Sequence, residues 1–186
     1  MRHSPAMERA IALADATGAA LHIAVFIEDF DLMRLMSNSE QLRESCRQEN
    51  LQWLKGEAEL IRRKGINVTT EVALTRDPLQ EILGHVAEMQ PDLIIKDVHH
   101  ESALKRVFVT PLDWQLLREC PPPVHLVSEV RCPLPRVIVA AVDPSHPEGQ
   151  ISGINDSVIQ AANELATQCD AELHMLYAYE LTHTFL

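Results

Sequence analysis

The sequence predicts an α/β fold, a doubly wound parallel sheet with helices on both faces. Three observations carry this expectation. Short apolar runs rich in β-branched residues alternate with helical segments at the spacing of βαβ units. The helical segments are punctuated by caps and stops. The chain has 186 residues, 46% of them hydrophobic, enough to bury a real core.

The elements follow in order. Residues 7–17 carry Ile11 and Leu13 among several alanines, which favours helix, and Gly18 stops it. Residues 21–27 form a short apolar strand. Residues 38–64 form a long helix in which Leu51, Leu54, Ala58 and Ile61 repeat at three- and four-residue steps as the buried stripe. Arg62, Arg63 and Lys64 suit its negative C-terminal end, and Gly65 closes it. Residues 68–74 alternate as a strand. Asp77 then caps a helix with Pro78 in its first turn, running to about Met89 before Gln90-Pro91. Residues 93–95 are a strand, 110–119 a helix capped by Thr110 with Asp113 in the first turn, and 124–127 a strand after three prolines. Residues 128–135 are a polar, proline-containing linker. Beyond it lie a strand at 137–142, a helix at 156–168 and a strand at 173–179.

An internal repeat adds to the pattern. Residues 3–28 align without gaps on 155–180, placing Ala10 on Ala162, Leu13 on Leu165 and Leu21-His22 on Leu173-His174. The second copy has a strand before its helix and the first has none. The expected organisation is therefore a first domain at 1–130 lacking its first strand, then at 131–186 the opening strand–helix–strand of a second. The first strand of such a sheet is central, and its absence leaves two unpaired inner edges. The segment 137–142, from the same chain or a dimer mate, is expected to fill that slot.

Bulk properties exclude several classes. A formal charge of −11 argues against nucleic acid and anionic membrane surfaces, which attract Lys/Arg patches. No apolar stretch approaches the ~20 residues needed to span a bilayer. The four cysteines share no CxxC spacing and are read as free thiols in a reducing cytoplasm. No serine has a GxSxG context.

The stretch 92–127, DLIIKDVHHESALKRVFVTPLDWQLLRECPPPVHLV, and the later PRVIVAAVDPS are similar to the universal stress protein family and, within it, to its tandem-domain branch. The resemblance spans nearly the whole chain. It implies an adenine-nucleotide-alpha-hydrolase-like sheet, a cytoplasmic stress-response role and a homodimer. Family members that bind ATP carry Gly-x-x-Gly, nine residues, then Gly-Ser or Gly-Thr, because glycine lets backbone N–H groups close on phosphates. Mapped here, the two loop glycines fall on Asp97 and His100 and the final pair on Thr110-Pro111. All four are replaced. A carboxylate at Asp97 repels phosphate, and Pro111 has no N–H to donate. The family's other nucleotide contact, an aspartate ending the first strand, falls on Asp143 of the second copy.

The expected nucleotide-binding set, in degenerate form, is thus Asp97, His100, Thr110 and Asp143. ATP is not an expected cofactor of the first domain. Thr110-Pro111-Leu112-Asp113 reads as a helix cap and Asp143-Pro144-Ser145 as a strand-to-loop cap. His99 and His100 are the metal candidates, but adjacent loop histidines seldom face one ion, so they read as solvated and no metal is expected. His22, His125 and His174 read as strand histidines with backbone partners. Trp53 and Trp114 read as core or dimer contacts. The function expected is a non-catalytic binding module of the stress response. The alternatives are a weak ATP binder or ATPase built on a composite pocket with Asp143, and a carrier of a small apolar ligand between the sheet and the long helix.

Overall fold

The computed structural model describes residues 4–28, 39–98, 112–129, 131–144 and 153–177. It falls into two compact units, 1–131 and 132–186. The first contains α1 (Pro5–Thr17), β1 (Leu21–Glu28), α2 (Ser39–Arg63), β2 (Val68–Thr75), α3 (Pro78–Met89), β3 (Ile94–Asp97), α4 (Leu112–Glu119) and β4 (Val124–Val127). The second contains β5 (Val137–Ala141), α5 (Ile154–Cys169) and β6 (Glu172–Leu176). The alternation of parallel strands and helices is the α/β class that the sequence predicts.

Local chemistry places the elements. Ser4 caps α1, accepting from the Met7 N–H at 3.2 Å. The helix ends at Gly18, which adopts φ 73° and donates to the Ala14 carbonyl at 2.8 Å. Asp77 caps α3 through the Gln80 N–H at 3.2 Å, with Pro78 in the first turn. Of the predicted stripe on α2, Leu54, Ala58 and Ile61 are buried and Leu51 is half-buried. Ala58 and Ile61 cluster with Ala14 of α1, Ile66 and Val68, and Ile11, Leu21 and Ile23 pack against them. This core covers one face of the β1–β2 pair; on the other, His85 of α3 meets Phe26 of β1 and Glu71 of β2.

The sheet departs from expectation. Strands β1 and β2 pair in parallel, Leu21 opposite Val68 through Glu28 opposite Thr75. Strands β3 and β4 pair in parallel, Ile94 opposite Val124 through Asp97 opposite Val127. No described strand joins the two pairs, so β1 and β3 each keep one edge without a strand partner among the described residues. Strand β5 pairs with β6, Val137 opposite Glu172 through Ala141 opposite Leu176. The expectation placed 137–142, from this chain or a dimer mate, in the central slot; among the described residues β5 is hydrogen-bonded to β6 alone. The ladder hydrogen bonds of β5 go to the neighbour that its own crossover helix delivers. Trp114, expected as a core or dimer contact, is 58% exposed in this chain, and Asp113 and Leu116 take the buried side of α4.

Candidate functional site

The seam between β1 and β3 opens as two clefts. One, of about 390 Å³, is walled by His22 and Phe26 of β1, Ile82 and His85 of α3, Ile95 of β3 and Leu116 of α4. The other, of about 460 Å³, is walled by Met7 and Ile11 of α1, Ile23 of β1, Trp53 of α2 and Asp97 of β3.

Asp97 ends β3 and reaches α1. Its Oδ1 accepts a hydrogen bond from the Ala6 N–H at 2.7 Å. The first turn of a helix carries N–H groups without partners and a positive dipole end, so a carboxylate there is stabilised. Sequence spacing gave no hint of this bond, since 91 positions separate the two residues. Lys96, one position earlier, donates from Nζ to Asp113 Oδ1 at 2.7 Å and to the Asp97 carbonyl at 2.9 Å. Asp113 stands in the first turn of α4, as expected, and also ties that turn to β3. His99, His100 and Thr110 lie outside the described residues. In the second unit the backbone of Asp143 is clasped by Asn155 of α5. Asp143 N–H donates to Asn155 Oδ1 at 3.1 Å, and Asn155 Nδ2 donates to the Asp143 carbonyl at 2.9 Å.

A further cluster was invisible in the sequence. His22 of β1, Glu71 of β2 and His85 of α3 converge, and the two histidines line the 390 Å³ cleft. The Nε2 of His85 lies 3.0 Å from Glu71 Oε2, and its Nδ1 lies 3.0 Å from the Glu81 carbonyl oxygen. The carbonyl only accepts, so Nδ1 carries a hydrogen. The Nδ1 of His22 sits 2.8 Å from Thr69 Oγ1, its register partner on β2. Its Nε2 is buried, without a hydrogen-bond partner, 3.9 Å from Glu71 Oε2. Phe26 meets the His85 ring edge-on at 5.2 Å. Burial works against protonation of His85, but the Glu81 carbonyl and the Glu71 and Glu81 carboxylates outweigh it and hold its pKa above the usual histidine value.

Two of the strand histidines, His22 and His174, correct the expectation of backbone partners. His22 uses Thr69, and His174 lies 3.3 Å from the Glu172 carboxylate. Side chains in a strand stand off the sheet face, so His22 meets the side chain of its register partner and His174 that of the residue two positions earlier on its own strand. The signal available in the sequence was the alternation that puts His22 on one face, but Glu71 and His85 come from two other elements.

Residues 3–128 match the model of the universal stress protein family. The chain belongs to that family. It is 30% identical over 181 residues to Universal stress protein E of Photorhabdus laumondii, covering 94% of this chain and 58% of that protein. To Universal stress protein E of Escherichia coli K12 it is 28% identical over 183 residues, with 96% and 58% covered. The crystal structure of a putative universal stress protein from Pseudomonas aeruginosa UCBPP-PA14 superposes with TM-score 0.71 at 26% identity, covering 98% of this chain and 59% of that one. The chain spans 58% of the length of the two named relatives. Family membership supports a stress-response role. No described helix is long and apolar enough to cross a membrane.

Proposed function

We propose that this chain acts in the cytoplasmic stress response as a non-catalytic, homodimeric binding module whose nucleotide site is degenerate. One observation carries the reading. The Asp97 carboxylate, at the strand end where a phosphate loop would begin, occupies the Ala6 N–H at the start of α1. A phosphate arriving there meets a fixed negative charge and a helix terminus already used. Replacement of the mapped Thr110-Pro111 pair points the same way. The tandem reading is supported by the matching ends of the two copies. Helix α1 stops at Thr17 with Gly18 left-handed, and α5 stops 152 positions later at Cys169 with Asp170 left-handed.

Isothermal titration with Mg-ATP tests this. The expected result is no saturable binding at micromolar nucleotide, in the wild type or in Asp97→Gly. Micromolar binding that Asp143→Ala abolishes would replace this reading with the composite-pocket one. A second reading, a carrier of a small apolar ligand, is favoured by the two clefts beside β1. Trp53 places one of them against the long helix α2. Mass spectrometry of small molecules released by denaturing the purified protein tests it.

A further inference from the structure

We propose that His22, Glu71 and His85 form a binding site for a divalent transition-metal ion of the zinc class. One ligating atom from each lies within 4.8 Å of those of the other two. Zinc held tetrahedrally at about 2.0–2.1 Å sets its ligand atoms about 3.3 Å apart. The His85–Glu71 separation of 3.0 Å and the His22–Glu71 separation of 3.9 Å bracket that value. Small side-chain adjustments therefore close the site without moving the backbone.

The surroundings fit a built site. Metal-binding histidines usually engage their second ring nitrogen with a carbonyl or other polar group, which fixes the ring and its tautomer. Both histidines do so here. His85 Nδ1 is held by the Glu81 carbonyl and His22 Nδ1 by the Thr69 hydroxyl, so each directs Nε2 at the same Glu71 oxygen. The buried, unpartnered Nε2 of His22 is an independent sign, because an orphaned buried polar atom is costly and an ion would satisfy it. The three ligands sit on three elements that the β1–β2 ladder and the packing of α3 hold in place, so the site is preorganised. Two imidazoles and one carboxylate suit zinc, nickel or copper rather than calcium or magnesium, which prefer oxygen alone. Three protein ligands leave a fourth position, next to the 390 Å³ cleft that His22 and His85 line.

Calorimetric titration of this chain, chelator-treated, with zinc chloride tests the proposal. One ion per chain is expected to bind with micromolar or tighter affinity. Loss of a ligand in Glu71→Gln or His85→Gln is expected to weaken binding at least a hundredfold. Thr69→Val, which removes only the group orienting His22, is expected to weaken it by about 10–100-fold. Cobalt in place of zinc separates this site from the four thiols (Cys46, Cys120, Cys132 and Cys169). The expected spectrum has visible ligand-field bands and no thiolate charge-transfer band. Wild-type affinity in Glu71→Gln, thiolate bands with cobalt, or no binding at millimolar zinc would overturn it. If His85→Gln fails to fold, Glu71→Gln decides alone, since its side chain is about half exposed (48%) and circular dichroism verifies its fold.

Discussion

Lys96 and Asp113 stand 17 positions apart in sequence and 2.7 Å apart in space. They join the strand motif DLIIK to the helix motif TPLDW, so two parts of the family resemblance become one contact. Both side chains are largely withdrawn from water, at 16% and 11% exposure. Removing one partner of such a pair leaves a desolvated charge, whereas replacing both with apolar groups of similar volume is close to neutral. Asp113→Ala is therefore expected to cost about 3 kcal/mol in urea unfolding, and Lys96→Met with Asp113→Leu to recover most of it. A double variant no more stable than the single one would show that the pair is not the origin of the loss. Asp113 also marks a limit of sequence reading. A helix-start motif explains an acid in the first turn, and only the fold supplies its cation.

His125 on β4 carries a pH prediction. Burial disfavours its charged form, and the nearby Arg9 guanidinium adds to this, so its folded pKa lies below the ordinary 6.5. The unfolded chain then takes up the proton first as the solution is acidified. The stability that neutral His125 contributes is fully present above pH 6.5 and is lost as pH falls below it through the depressed folded value. Melting temperature measured between pH 7 and pH 5 should fall less steeply for His125→Leu than for the wild type. Identical slopes would show that other groups govern the acid limb.

At the scale of elements, helix ends were the most legible feature because their chemistry is local. Gly18, Gly65 and the Asp77-Pro78 pair each mark a boundary within a residue or two. Gln90 is less obvious. It closes α3 in the left-handed region, at φ 45°, and donates to the Val86 carbonyl at 2.9 Å. A residue with a Cβ pays roughly 1–2 kcal/mol there, which glycine escapes. Gln90→Gly is thus expected to raise stability by about 1 kcal/mol and to shift the urea midpoint upward without changing the slope. A lower midpoint would mean that the Gln90 side chain or the stiffness of the unfolded chain outweighs the relieved strain. Pairing between strands was less legible than helix ends. Short apolar runs locate β1, β3 and β5, but nothing local says which neighbour each will find. The metal cluster has the same origin: His22, Glu71 and His85 come from three elements, and no spacing within any one of them announces the others.

At the scale of the molecule, the two units are unequally built. The first encloses Leu54, Ile61 and Leu116 almost completely. In the second, the buried apolar residues among those described are Ala140, Ala166 and Cys169, all small. Its two strands meet α5 on one face only. Ile138 and Ala140 lie on the better-covered side of β5, whereas Val137 and Val139 alternate with them and are exposed. Leu176, opposite Ala141 in the register, is exposed as well. A two-stranded ladder with one helix buries too little apolar surface to offset its conformational entropy by a wide margin. Hydrogen exchange should report the difference, because protection follows the free energy of local opening. In dilute protein at neutral pH, amides of β5 and β6 are expected to exchange well before those of β2, which pairs with β1 along its whole length and is covered by α2. Equal protection of β5 and β2 under those conditions would refute this ranking. Protection of β5 that grows with protein concentration would show instead that a second copy covers Val137 and Val139, joining the stability of this unit to the proposed homodimer.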